Sequence, residues 1–293
     1  MRRGGAWGAI VLIGVGLGAG GASCSDPGAG ADAGTDAALE GSVDAPADVA
    51  DAAPPEDARE AGPPLRLAGW SATRAPEYNL AAGSAVKALR AAIVDDFDVT
   101  WVPLTTLTGM LGASNANGIV LTTYAGTFGT IQPALDANEQ AALRAFVDAG
   151  HFAIILLDND GYGGPIDPWN DSLANPFGLD ALGTISADGG YVAAVATPLD
   201  GGVHPILHGT PSFPQYYPGW LGTMADAAVT PTIAATNPSG PALVVLEAGA
   251  LGPGSGIVVA FSDTGSFTDD TPSGLTPAAR KVFVRALRYA AAK

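Results

Sequence analysis

The chain has 293 residues, 47% of them apolar and only 14% charged, so it can bury a sizeable core, while 40 glycines and 23 prolines point to many turns. The formal net charge of −16 offers no basic footprint for phosphates, which argues against nucleic acid as a partner and against an anionic membrane surface held by the protein's own charge. The lone cysteine, Cys24, excludes an internal disulfide, a cysteine zinc site and an iron–sulfur cluster.

The N-terminus reads as an address. Arg2 and Arg3 give a positive start, Ala9 to Leu17 is apolar with interspersed glycine, and Gly21-Ala22-Ser23 places small residues just before Cys24. This layout resembles the bacterial lipoprotein signal, in which the cysteine is acylated and becomes the mature N-terminus. The resemblance implies residues 1–23 as signal peptide and Cys24 as the lipidation site. It departs from the pattern at Gly21, where the family usually carries leucine. An ordinary cleaved signal peptide and a transmembrane anchor are the alternatives, although the run is short for the ~20 residues a span needs.

Residues 24–64 read as a solvated, disordered linker of Ala, Asp, Gly and Pro. From Ser25 to Pro64 ten acids face one base, Arg59, a net of −9, with no aromatic residue. Asp32, Asp36, Glu40, Asp44 and Asp48 recur every four residues, which on a helix would stack like charges. Such a segment lacks the apolar surface to offset its ordering entropy. The acids could instead hold divalent cations, at the full ordering cost of a flexible chain.

The composition changes at Leu65, and residues 65–293 read as one domain. Leu65–Trp70 is strand-like. Glu77–Phe97 carries Leu80, Val86, Leu89, Ile93, Val94 and Phe97 near helical spacing. Asp98–Val102 is a second strand that Pro103 ends, and Gly118–Tyr124 a third. A helix follows, with Asp136 as cap, Glu139 completing a capping box, Leu143, Phe146 and Val147 as its buried face, and Gly150 closing it. Phe152–Leu157 is apolar without alternation, as suits a central parallel strand covered on both faces. Gly161 to Pro238 is irregular and predicts long loops and a few extra strands over one end of the sheet. Ala242–Leu246 and Gly256–Phe261 read as consecutive strands around the turn Gly249–Gly254. Thr276-Pro277 opens a last helix through Val282, Val284, Leu287 and Tyr289. Strands alternating with helices predict an α/β fold with a doubly wound, mostly parallel sheet of flavodoxin-like type.

The phrases EQAALRAFVDAGHFAIILLD, VHPILHG and GSGIVVAFSDTGSF, in this element order, resemble the class I glutamine amidotransferase-like superfamily, and within it the non-catalytic or uncharacterised branches. The resemblance spans roughly Leu65 to Lys293. It implies a nucleophilic cysteine at a strand-to-helix elbow, yet this domain has no cysteine, and Asp158-Asn159-Asp160-Gly161 follows the apolar strand instead. Amidotransferase activity therefore does not carry over.

Ligands of open α/β sheets sit beyond the carboxyl ends of the strands. Two such ends carry acids, Asp158 with Asp160 and Asp263, with Asp269 and Asp270 downstream; neighbouring strands would bring them together. Calcium is the candidate cation, since DNDG resembles the start of a calcium loop, although no glutamate follows at the required distance. The same acids could simply cap turns. His204 and His208 stand four apart, but Pro205 disfavours the helix that would let them share zinc; His151 opens a strand. GPGSG at Gly252–Gly256 has the wrong spacing for a serine elbow, and Ser266 lacks an assigned base. Tyr162, Trp169, Phe177, Phe213, Tyr216, Tyr217 and Trp220 either stack on sugars, form a protein interface, or fill a satellite core. The expectation is an exported lipoprotein of the bacterial cell envelope, held to its membrane by lipid, with a non-enzymatic binding or interaction domain for a carbohydrate or protein partner. The alternative is a hydrolase, with carbohydrate as candidate substrate, working through Asp158, Asp160 and Asp263.

Overall fold

The computed structural model describes residues 64–70, 76–109, 111–122, 134–158, 167–183, 193–199, 202–210, 212–216, 218–269, 271 and 274–293. The chain divides into two units, Met1–Glu56 and Asp57–Lys293, and the first lies wholly outside the described residues. So do the signal segment, Cys24, the acidic linker up to Pro63, Asp160, Tyr162, Tyr217 and Asp270.

Eleven described strands run in chain order: β1 (Leu65–Trp70), β2 (Val99–Leu104), β3 (Gly118–Thr122), β4 (Phe152–Leu156), β5 (Leu179–Leu182), β6 (Ala193–Pro198), β7 (Phe213–Tyr216), β8 (Trp220–Thr223), β9 (Thr232–Asn237), β10 (Gly240–Leu246) and β11 (Val258–Phe261). Four helices accompany them: α1 (Lys87–Asp96), α2 (Ala137–Asp148), α3 (Asp167–Ala174) and α4 (Pro277–Ala291). Nine strands form one sheet in the order β2-β1-β3-β4-β11-β10-β9-β6-β7, and β5 pairs with β8 separately.

The sheet is mixed, which corrects the mostly parallel expectation. β2, β1, β3, β4 and β11 are parallel, whereas β10, β9, β6 and β7 add antiparallel pairs beyond β11. The middle segment, expected as long loops with a few extra strands over one end of the sheet, supplies β6, β7 and β9 to the sheet itself and β5 and β8 to a separate pair. The β10–β11 connection around Gly249–Gly254 allows antiparallel pairing because it needs no crossover helix.

β4 reads FAIIL and is buried at all five positions, as a strand covered on both faces must be. Phe152, Ile154 and Leu156 join the cluster under α1 and α4, with Leu89, Ile93, Val282, Phe283 and Leu287. Ala153 and Ile155 point the other way, toward Leu143, Phe146 and Val147 of α2 and Leu173 of α3. Each fully buried large side chain contributes about 1.5–3 kcal/mol, so these two faces carry most of the stabilisation. The Asp136 carboxylate accepts from the N–H groups of Asn138 and Glu139, and Glu139 accepts from Asp136 N–H at 2.9 Å, completing the capping box. Thr276 caps α4, with Pro277 at its first position.

Two boundaries differ from expectation. The first helix begins only at Lys87, because residues 76–85 fold into tight turns in which Gly83 N–H reaches Asn79 O and Ala85 N–H reaches Glu77 O. A Cβ on Gly83 would lie 2.1 Å from Glu77 O, so the close approach depends on glycine. β2 continues through Pro103, which is tolerated because β2 is an edge strand with one free side.

Gly118 at the start of β3 lies against the Phe152 ring, where a Cβ would sit 2.2 Å from two ring carbons. Gly118→Ala is expected to destabilise the domain by about 1–3 kcal/mol in urea unfolding, the usual cost of overpacking. Adding Phe152→Leu should recover part of that loss; no recovery would place the defect elsewhere.

Candidate functional site

The carboxyl ends of the five parallel strands form one edge, with Leu104, Trp70, Thr122, Leu156 and Phe261 as their last residues. Chain order reverses between β1 and β3, since β2 lies on one side of β1 and β3 on the other. Crevices at such switch points are the usual ligand sites of open α/β sheets. Here the crevice is lined by Trp70, Tyr78, Asn79, Leu80, Thr122 and Trp169, none of them charged at neutral pH. Its free space is about 20 Å³, room for one water or one ligand oxygen. The Trp70 and Trp169 ring centroids stand 6.5 Å apart at 50°. The Trp70 indole nitrogen is buried and has no hydrogen-bond partner among the described residues. Such a donor is costly to leave unpaired, so an acceptor at this spot gains more than one in open water.

Asp158 and Asp263 follow neighbouring strands, each two residues beyond the paired positions Leu156 and Phe261. Thr264 Oγ1 bridges the two ends by donating to Leu156 O at 2.7 Å. Asp158 is buried, and its backbone is held by Asn170 of α3. Its N–H donates to Asn170 Oδ1 at 3.0 Å, and its carbonyl accepts from Asn170 Nδ2 at 2.7 Å.

Asp263 is fully buried. Its Oδ1 accepts from Gly265 N–H at 2.8 Å, and its Oδ2 accepts from Tyr216 N–H at 2.9 Å and Ser266 N–H at 3.2 Å. The Ser266 hydroxyl is in hydrogen-bond contact with the same Oδ2. Burial pushes the Asp263 carboxyl up to about 7, against the opposing pull of the Ser266 contact and the backbone N–H groups. The carboxyl thus caps the turn Gly265–Phe267 and ties it to β7. Among the described residues no three His, Cys, Asp or Glu side chains are grouped to hold a metal ion.

The histidines lie apart from this edge chemistry. His204 precedes the turn Pro205–Leu207 in an extended conformation, and its Nδ1 accepts from Ile206 N–H. The neutral ring therefore carries its proton on Nε2, which stands 3.6 Å from Glu247 Oε1. His208 is exposed, and its carbonyl accepts from Arg285. His151 stacks on Phe146 with centroids 4.4 Å apart. Of the aromatic set, Trp169, Phe177 and Phe213 are buried in the core, while Tyr216 and Trp220 are half-buried. The sequence does not single out Trp70, Thr122 or Asn170. Only the strand order, which makes β1 and β3 flank the switch point, marks the first two.

No family model matches the chain, and no curated protein matches it. Among solved structures, the chain is similar to the mmIFT52 N-terminal domain at a TM-score of 0.50 and 10% identity, covering 79% of this chain and 98% of that one. A cytoplasmic protein of Salmonella typhimurium LT2 aligns at 0.48 and 16% identity over 70% and 87% of the two chains. A ThuA-like protein from Parabacteroides merdae ATCC 43184 aligns at 0.46 and 14% identity over 78% and 89%. At 10% identity the likeness to the mmIFT52 N-terminal domain reaches the fold and goes no further.

Asn170→Ala removes two hydrogen bonds to the Asp158 backbone, and a buried group that loses its partner costs about 1–3 kcal/mol. Chemical denaturation should show that loss. An unchanged midpoint would mean that solvent replaces the staple at no cost.

Proposed function

We propose that this chain is a membrane-tethered lipoprotein of the bacterial cell envelope, and that residues 65–293 form a non-enzymatic binding or interaction module of class I amidotransferase-like, flavodoxin-like fold. The tether rests on the N-terminal residues, with lipid on Cys24 and the acidic segment after it as spacer. The fold assignment draws on the parallel strand order β2-β1-β3-β4-β11, the 2-1-3-4-5 order of flavodoxin-like sheets.

The observation that carries the binding role is the switch-point crevice, where the Trp70 indole N–H, buried and without a hydrogen-bond partner among the described residues, lies beside Trp169 and the end of β3. A ligand that presents one neutral oxygen acceptor beside an apolar face suits it, and sugars have that chemistry. The second reading, a hydrolase using Asp158, Asp160 and Asp263, is favoured by the β4–β11 register that sets two of these acids at adjacent strand ends. Both oxygens of Asp263 are nevertheless already engaged by protein groups.

Two measurements test this. A full-length chain expressed in bacteria should incorporate labelled palmitate, and Cys24→Ser should abolish the label; an unlabelled wild-type chain removes the tether. Thermal shifts of the full chain with a panel of neutral sugars, with calcium and with chelator address the domain. A ligand specific for the native state at 100 times its Kd adds about 2.7 kcal/mol. Trp70→Phe should cancel the sugar shift. Sugar turnover that is lost in Asp158→Asn would instead establish the hydrolase.

A further inference from the structure

The crevice at Trp70 has its origin in the strand register. β1 and β3 pair at Leu67–Gly118 and Ala68–Ile119, and the pairing stops there. Trp70 and Val120–Thr122 therefore line a gap, which the turn residues Tyr78, Asn79 and Leu80 border on another side. The polar groups of that turn are matched within the fold. The Asn79 amide donates to Trp70 O, and its Oδ1 accepts from Ala81 N–H at 2.8 Å. Asn79 O accepts from the N–H groups of Ala82 and Gly83, and Leu80 O accepts from Arg90 at 3.4 Å. The Trp70 indole N–H is left without a partner among the described residues.

What can reach this donor is limited first by space. The indole nitrogen is buried, and the free volume beside it, about 20 Å³, holds a single oxygen. A ligand must therefore carry its acceptor on an arm while its body stays at the mouth. On a sugar, a ring hydroxyl oxygen is one bond from the ring and a hydroxymethyl oxygen two. The carbonyl oxygen of an acetamido group is three bonds away.

Hydrogen-bond chemistry points the same way. A carbonyl oxygen only accepts, whereas a hydroxyl or a water brings protons of its own that need acceptors in the wall. In a trans amide the N–H points away from the carbonyl, so it stays in solvent while the oxygen enters. The methyl on the carbonyl carbon then meets the apolar rim of Trp70 and Leu80. A charged acceptor is disfavoured. No cation lines the crevice, and residues 65–293 carry nineteen acids against ten bases, so a carboxylate or phosphate would lose hydration without a counter-charge.

We infer that the switch-point crevice takes the acetamido group of an N-acetylated amino sugar, with its carbonyl oxygen on the Trp70 indole N–H. This rests on the binding reading above and narrows its ligand. Trp70 is then the residue that determines specificity. A sugar without the arm leaves the indole unpaired and binds about tenfold more weakly or worse.

The test is a titration of the full chain, nitrogen-labelled at tryptophan, with N-acetylglucosamine, glucose, glucosamine and N-methylacetamide. Five tryptophans give five indole N–H signals, and that of Trp70 is the one missing in Trp70→Phe. N-acetylglucosamine should move one indole signal downfield, and glucose and glucosamine should need about tenfold higher concentrations. This pattern is read in the wild type, so it stands even where the variant fails to fold. Equal shifts with glucose would overturn the acetamido group and leave sugar binding in place. Equal shifts with N-methylacetamide would show that the ring adds nothing, which removes the sugar and leaves an amide ligand. No movement of any indole signal would remove the binding reading together with the inference.

Discussion

An apolar strand with no polar face has one stable place, the interior of a sheet covered on both sides. β4 is that strand, and the domain is arranged around it. Its alternate residues feed two separate cores, one under α1 and α4 and one under α2 and α3. β3 and β11 must then flank it, which aligns Thr122 and Phe261 with Leu156 and brings the chain beyond each strand to one common edge. The position of every candidate group at that edge follows from burying five consecutive apolar residues.

What could be read in the sequence follows how locally each feature is encoded. The α2 capping box rests on Asp136 and Glu139, three residues apart, and forms as the spacing dictates. Continuous apolar runs mark β4 and β11 for the same reason. The helix expected from Glu77 fails over its first ten residues because the tight approach of Gly83 to Glu77 O is a backbone contact that apolar spacing does not encode. The mixed character of the sheet is equally hidden. β6, β7 and β9 carry prolines, threonines and a short alternation that suit edges and loops alike, and only pairing partners distant in sequence fix them as strands.

At the strand ends the sequence marks Asp158 and Asp263 as notable and leaves their roles open between ligand and turn cap. Their surroundings are set by partners far along the chain: Asn170 holds the Asp158 backbone, and Tyr216, on a different strand, donates to the Asp263 carboxyl. A carboxylate at a strand end looks the same in one dimension whether it faces solvent or a row of backbone N–H groups. The crevice at Trp70 is hidden for the converse reason. A tryptophan ending an apolar strand reads as core until the order β2-β1-β3 places it at the reversal point.

The pair of hydrogen bonds between Asn170 and the backbone of Asp158 also has an evolutionary consequence. A single residue sets the register between the end of β4 and α3, so a substitution there releases both bonds at once. Position 170 can therefore drift only to residues that both donate and accept at that spot, a constraint that the apolar positions packed around β4, open to other side chains of similar volume, do not carry.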